Sequence, residues 1–266
     1  MRKKTLTDNN RILNCIPSKN VEKDYSFEDA LGGEIISEGD SLPSAVDLRE
    51  PWWDVGNQKD TGSCVGWAST DSLLRWHFVK AGRITQKEKL SVRFIWMSCK
   101  EMDDFTSYPS TFIELAGTSV KTAIDIARKY GCVKEDVLPF SGGKLYTKPP
   151  NFLYAQASKL KVTSYFNLGT DPSKWRSWLA YHGPILTRLD CDNTWMACNP
   201  ANPNLDVYVP PSQPAGHAVS IVGFRADGRF IIRNSWGTIW GDKGFAYASQ
   251  AYAKDAFTEA YGISVY

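Results

Sequence analysis

A short strand-like run, Phe230 to Arg233, stops at Asn234-Ser235-Trp236-Gly237, and Trp240, Gly241 and Gly244 follow close behind. A strand that runs into Asn and then into Trp among glycines has to turn sharply while burying a large ring. The carboxamide of Asn234 is left at the strand end, where its oxygen can accept the far N–H of an imidazole and so fix both tautomer and ring orientation. Trp236 would then cover that hydrogen bond from water. Alone, Asn-Ser-Trp-Gly is only a turn with a packing Trp. The continuation through Trp240, Gly241 and Gly244 argues against that reading and directs the search upstream, to a histidine and a nucleophile.

The chain has three His. His217 lies between Gly216 and the apolar run Ala218 to Gly223, so it projects at the start of a predicted strand. His77 falls about three and a half helical turns beyond Cys64, too far along the axis to reach the same substrate atom, and reads as structural. His182 precedes Gly183-Pro184 in a connection, where a solvated or packed ring is expected. His217 is therefore the candidate base.

Cys64 follows Gly62-Ser63 at the expected N-terminus of a helix, where the dipole and free N–H groups favour thiolate over thiol. A Cys in a helix is more often a buried, inert hydrophobe. The Gly-Ser lead and Gln58, six residues earlier, weigh against that reading here. The Gln58 carboxamide can join the Cys64 N–H as donors to an oxyanion.

Composition bounds what else the chain can do. With 266 residues and 42% hydrophobic content it can bury a substantial core, and disorder is excluded for most of it. Lys and Arg number 31 against 29 Asp and Glu, which offers no basic footprint, so nucleic acid is not expected as the primary partner. Arg2, Lys3 and Lys4 are followed by polar residues, so no ordinary export signal is visible, and no run approaches the length of a membrane span. Cytoplasmic and non-classically exported locations both stay open. The six Cys at 15, 64, 99, 132, 191 and 198 are too few for a disulfide scaffold and form no C-x-x-C pair for zinc. A local bridge of Cys191 with Cys198, and a longer-range one of Cys99 with Cys132, are left open.

Residues 1–41 are polar and aperiodic apart from Ala30-Leu31, and read as an N-terminal extension. Leu42 to Arg49 reads as an extended entry segment. Apolar spacing predicts helices over 64–80, 91–100 and 120–130, the first stopping at Gly82 and the last at Gly131. After Gly142-Gly143 and Pro149-Pro150, strand-like runs dominate at 160–166, 185–189, 218–224, 230–233 and 245–248, with one helix at 172–181. Helices first and antiparallel strands second predict an α+β chain, with a helical lobe over roughly 50–150 and a β-rich lobe over roughly 151–266.

With these residues in place, the chain resembles the papain family of cysteine peptidases from about Leu42 to its end. Gln58, Gly62-Ser63-Cys64, Gly216-His217-Ala218-Val219 and Asn234-Ser235-Trp236-Gly237 with Trp240-Gly241 occur in the family's order and approximate spacing. The resemblance implies a two-lobe fold, the right lobe an antiparallel β-barrel-like one, with the active site in the cleft. It implies Cys64 as nucleophile, His217 as acid and base, Asn234 as orienter, Gln58 as oxyanion donor and Trp236 as shield, with no metal or cofactor. It also implies that Gly117 pairs its backbone with an extended peptide substrate, beside Thr118 and Gly216. Val120 and Ala215 would help line the main specificity pocket. In the family such a Cys has a pKa of roughly 3 to 4, which implies activity well below neutral pH.

The departures matter as much. Val65 follows Cys64, and no Cys stands two residues before it, so the family's bridge beside the nucleophile is absent; this resembles the bacterial branch. Thr118 replaces a second glycine. Residues 1–41 lack the helical signature of eukaryotic pro-domains, so any inhibition by this segment must use another geometry.

The expectation is a cysteine endopeptidase restrained by residues 1–41 acting as an intramolecular inhibitor; a surface tail is the plain alternative. A papain-fold binding module with weak or no hydrolysis is the rival, since fold does not prove activity. Transpeptidation, or amide hydrolysis of a non-protein substrate, would use the same acyl-enzyme. No insertion with paired His suggests a carboxypeptidase.

Overall fold

The computed structural model describes residues 11–35, 41–102, 117–141, 147–213 and 215–265. Two buried clusters organise it. One lies in the helical part around Leu73, Phe78, Phe94, Ile124 and Leu138. The other lies against the sheet around Trp175, Trp178, Trp195, Phe230, Trp236 and Trp240.

A first short helix, α1 (Phe27–Gly32), is capped by Ser26, whose hydroxyl accepts the Asp29 N–H while the Asp29 side chain accepts the Ser26 N–H. The entry segment forms β1 (Val46–Asp47), which pairs antiparallel with Gly223 and Phe224. The expected 64–80 helix is present but not uniform. It opens as α2 (Cys64–Gly66), widens into a π-helical stretch (Trp67–Leu74) and closes as α3 (Arg75–Lys80). Ser69 Oγ donates to the Val65 carbonyl at 2.6 Å within the first turns. Such back-bonding loosens helical pairing, and π-turns of this kind recur at functional sites. Then come α4 (Val92–Met102), α5 (Val120–Lys129) with Ser119 as cap, and α6 (Pro150–Ala157), which has Pro at its first position.

The second half alternates β2 (Ser164–Asn167), α7 (Pro172–Tyr181), β3 (Ile185–Asp190), α8 (Asn193–Ala197), β4 (Asn204–Leu205) and β5 (Gly216–Phe224). It ends with β6 (Phe230–Arg233), β7 (Phe245–Ala248), α9 (Gln250–Ala256) and β8 (Phe257–Ser264). The strand order is β2-β8-β3-β5-β6-β7-β4, antiparallel except for the short β4–β7 pair. The α+β fold is as expected, and its sheet is open, with β2 and β4 at its ends. All six Cys are buried and none is joined in a disulfide, so neither contemplated bridge forms. Among the described residues no helix is long and apolar enough to cross a membrane.

Residues 11–33 form a strap that packs on both parts of the molecule. Cys15 belongs to the helical core, while Phe27 and Ala30 are buried in the sheet core. The Asn167 N–H donates to the Tyr25 carbonyl at 2.8 Å, holding the strap on β2. Segment 11–35 is thus built into the fold, in contrast to the surface tail weighed from its polar composition.

Candidate active site

Cys64 is the first residue of α2, and β5 crosses directly behind it, with the Ala218 N–H facing the sulfur. His217 is the second residue of β5, fully buried. Its Nε2 lies 2.8 Å from Asn234 Oδ1, which also accepts the Ser235 N–H at 2.8 Å. Since the oxygen can only accept, the Nε2–H tautomer is fixed and Nδ1 is left as the working nitrogen. That Nδ1 is buried with no hydrogen-bond partner. Asn234 is itself held at the end of β6 by its N–H on the Gly244 carbonyl at 3.0 Å.

Trp236 is tilted over the imidazole at 5.1 Å between ring centroids, and Trp195 meets the same ring edge-on at 5.7 Å. Both indoles thus pack against the His217 ring; nothing in the sequence marks Trp195 for that place. Gln58 is fully buried, its Nε2 donating to the Thr61 carbonyl at 3.0 Å and its Oε1 accepting from Ser235 Oγ at 2.8 Å. Its N–H also donates to the Ser235 carbonyl at 2.8 Å, tying the loop before Cys64 to the Asn234 turn. One amide hydrogen of Gln58 remains for an oxyanion.

The strap runs through this site. Arg11 lies 5.3 Å over the Trp236 ring and donates to the Lys59 carbonyl at 2.7 Å. Further along, the Cys15 N–H donates to the Gly216 carbonyl at 2.9 Å and the Ile16 N–H to the Thr118 carbonyl at 3.1 Å. This is extended peptide pairing between two rails, one from each lobe. Glycine is required on both rails. A Cβ on Gly117 would lie 1.9 Å from the Asn14 carbonyl oxygen, and one on Gly216 would lie 2.0 Å from that of Cys15. Of the expected substrate-binding residues, Gly117, Thr118, Gly216 and Trp236 therefore line the groove that the strap fills. Val120 is buried in the same core as Cys15 and Cys64. Ala215 is half-buried, its carbonyl accepting the Cys191 N–H at 2.9 Å.

Burial sets the protonation states. It pushes the Cys64 thiol up to about 11, an effect only partly offset by the N–H groups of Ala218, Val65 and Cys64 itself and by Arg188. The sequence reading, in which the helix N-terminus lowers this pKa, is overturned for the strapped form because desolvation outweighs the dipole. Burial also pulls His217 down to about 4, against the Asn234 hydrogen bond and with help from the Arg11 charge. At neutral pH the strapped site is thus an uncharged thiol beside an uncharged imidazole.

A buried thiol, an imidazole hydrogen-bonded to a carboxamide, and two backbone rails that pair with extended peptide make up this site. Comparison with known proteins gives its class. Residues 42–263 match the papain family cysteine protease model, and the chain belongs to this family. It is 27% identical to procathepsin L of Felis catus over 77% of this chain and 60% of that protein. It is 30% identical to cysteine proteinase A of Leishmania mexicana over 80% of this chain and 57% of that one. The chain therefore spans less than two thirds of the length of these two relatives. Among solved structures, xylellain, a cysteine protease from Xylella fastidiosa, superposes with a TM-score of 0.77 at 20% identity, covering 97% of both chains. Procathepsin L 3 of Tenebrio molitor does so at 0.64 and 17% identity, covering 95% of this chain and 76% of that one.

Nothing in the sequence marks Asn14, Cys15 or Ile16 as groove residues, because they meet the rails through backbone atoms, and Arg11 is one charge in a polar run whose guanidinium reaches Trp236 and Lys59 only in the fold. Arg188 and Glu259 were missed as well. Arg188 stood as one charge in an otherwise apolar strand run, and Glu259 lay in a stretch not read as a strand.

Proposed function

We propose that the chain is a cysteine endopeptidase that cleaves extended peptides, kept dormant by its own residues 11–33 until that strap is displaced. In this reading residues 42–266 are the catalytic unit and residues 1–41 the inhibitory segment. The observation that carries it is the pairing of Cys15 with Gly216 and Ile16 with Thr118, which seats peptide backbone beside His217. A groove that binds backbone there can offer a substrate carbonyl to Cys64.

With the strap gone, water re-enters and the penalty on charge falls. The proton of Cys64 then moves to Nδ1 of His217, giving thiolate and imidazolium. The sulfur attacks the substrate carbonyl carbon, and the oxyanion takes hydrogen bonds from the Cys64 N–H and the Gln58 amide. His217 gives its proton to the leaving amine, and the C–N bond breaks to leave a thioester. A water molecule loses its proton to His217, attacks the thioester and releases the carboxylic acid, while the proton returns to sulfur. Asn234 holds the ring throughout, and Trp236 and Trp195 keep water from their hydrogen bond.

Incubating active-site-titrated protein with a peptide substrate and a thiol-directed epoxide tests this reading. Covalent labelling at Cys64, in step with loss of peptide turnover, is the expected result. Peptide binding without turnover, in protein whose strap has been displaced, would favour a binding module instead.

A further inference from the structure

Five of the six Cys lie at or beyond position 64, and Cys15 lies on the strap. Its backbone is held beside the reaction centre. The pairing of β6 with β5 starts at Ser220, which leaves the edge of β5 around His217 open. The strap and the nucleophile share that edge. The Cys15 N–H donates to the carbonyl of Gly216, the residue before His217, at 2.9 Å, and the N–H of Ala218, the residue after it, faces the Cys64 sulfur. Two residues of strand span about 7 Å, and bridged cysteines have Cα atoms about 4–7 Å apart. The two anchoring points stand within reach of a bridge once the strap shifts slightly.

The surroundings favour this pair of thiols over others. Cys15 and Cys64 belong to one buried cluster, whereas Cys191, whose N–H donates to the Ala215 carbonyl at 2.9 Å, packs in the sheet core. Charge on Cys64 is felt at both of the other sulfurs. Joining two sulfurs at about 2.0 Å requires one partner to move. Cys64 opens α2 and Cys191 follows directly on β3, so the body of the fold fixes both. Cys15 rides on the segment that moves, and its thiol makes a long contact, 3.9 Å, with the Ile16 carbonyl, too weak to hold the sulfur in place. Burial keeps both sulfurs protonated while the strap is seated; Arg188, whose Nε donates to the Cys15 carbonyl at 3.1 Å, favours the thiolate at each, against Glu259 and Asp190 at Cys15.

Resting on the strap reading above, we propose that Cys15 and Cys64 form a reversible disulfide that locks the strap over the site under oxidising conditions and opens in the presence of excess thiol. The oxidant is a small disulfide of the class of oxidised glutathione. When the strap lifts, the Cys64 thiolate attacks one sulfur of that molecule, a protein–glutathione disulfide forms and one glutathione thiolate leaves. The strap reseats, and the Cys15 thiolate attacks the Cys64 sulfur and expels the second glutathione thiolate. Two electrons have then passed from the two cysteines to the small disulfide, and the two thiol protons end on the two glutathione sulfurs. The reverse sequence frees Cys64. Unmasking the site thus takes two conditions, a displaced strap and a reducing medium.

The full chain is incubated in buffers of oxidised and reduced glutathione, quenched with acid, alkylated and mapped by mass spectrometry without reduction, a reading that needs no peptide turnover. A Cys15–Cys64 linkage, lighter by two hydrogens than the reduced peptides together, should form and should outcompete the glutathione adduct of Cys64 until free glutathione exceeds roughly millimolar, the effective concentration of a tethered partner. Labelling of Cys64 by iodoacetamide in the folded protein should fall in step with the linked fraction and return on adding dithiothreitol. In Cys15→Ser, which keeps the size of the side chain and the backbone bond to Gly216, Cys64 should carry glutathione instead. Cys64 joined to Cys191, a glutathione adduct that persists in the unaltered chain, or a Cys64 left unoxidised while iodoacetamide still labels it, each overturns the disulfide. In reduced protein, Asp24→Asn removes the strap's ion pair with Lys121 and should speed that labelling. If it does not, the strap reading fails, while the linkage is judged separately from mass alone.

Discussion

Asp24 offers the most direct handle on the strap. Its carboxylate is almost fully buried, with 4% of the side chain exposed. It is held by Lys121 Nζ at 2.6 Å, by the Tyr261 hydroxyl at 3.0 Å and by the Tyr165 hydroxyl at 3.4 Å. Asp24→Asn preserves shape and one acceptor but leaves Lys121, itself only 12% exposed, without a counter-charge. Breaking a fully buried pair costs about 3–5 kcal/mol and an exposed one about 0–1. This pair lies between, and the Asn oxygen still accepts, so the seated strap should lose about 2 kcal/mol, or roughly 30-fold in open population. The assay is alkylation of Cys64 by iodoacetamide at neutral pH, resolved by peptide mapping, under conditions where strap opening is faster than labelling. Cys64 should react about 30-fold faster in Asp24→Asn, with Cys99 and Cys132 unchanged in the helical core. An unaltered Cys64 rate refutes the latch. An equal rise at Cys99 and Cys132 would mean that the whole fold had been weakened rather than the strap released.

Other outcomes follow from the same geometry. Asn234→Ala frees the Nε2 side of His217 and should lower kcat by about fivefold to a hundredfold, the worth of one buried hydrogen bond, with little change in KM; an unchanged kcat would remove Asn234 from its role. Gln58→Ala should cost about 100- to 1,000-fold in kcat if its free amide hydrogen meets the oxyanion, and a loss confined to KM would contradict that. Burial holds His77 near 3 and His217 near 4, below the ordinary imidazole value of 6.5. The unfolded chain therefore takes up those protons first as the pH falls. Stability should be full above about 6.5 and then drop by about 1.4 kcal/mol per pH unit for each ring until its folded pKa is passed. Urea midpoints at pH 7, 6 and 5 measure this; a slope of half the size would show that one of the rings is charged in the folded state, and a flat profile that both are.

Much of this architecture can be read in the chain because its helices carry their own periodicity and caps. The 172–181 helix begins at Pro172 behind the Asp171 cap, and α5 ends within a residue of its expected stop. The Asn234 turn pointed to His217 because a carboxamide at a strand end needs a particular partner, and the two atoms stand 2.8 Å apart. What escaped was set by distant residues. β8 lies inside the sheet between β2 and β3, yet Thr258 and Glu259 interrupt its apolar pattern. They face the strap and Arg188 rather than the core. Helix α1, capped by Ser26 and Asp29, lies in a segment read as aperiodic, because its polar surroundings masked the burial of Phe27 and Ala30. The raised pKa of Cys64 follows from its burial among residues distant in the chain, which no local pattern encodes.

Turnover of a fluorogenic peptide amide by the full chain and by a chain beginning at Ser41, each beside its Cys64→Ala counterpart, bears most directly on the central claim. The account predicts faster hydrolysis by the shorter chain and none in either Cys64→Ala protein. Equal turnover by folded full-length and shortened chains would contradict autoinhibition by the strap, and turnover surviving Cys64→Ala would contradict the thiol chemistry itself.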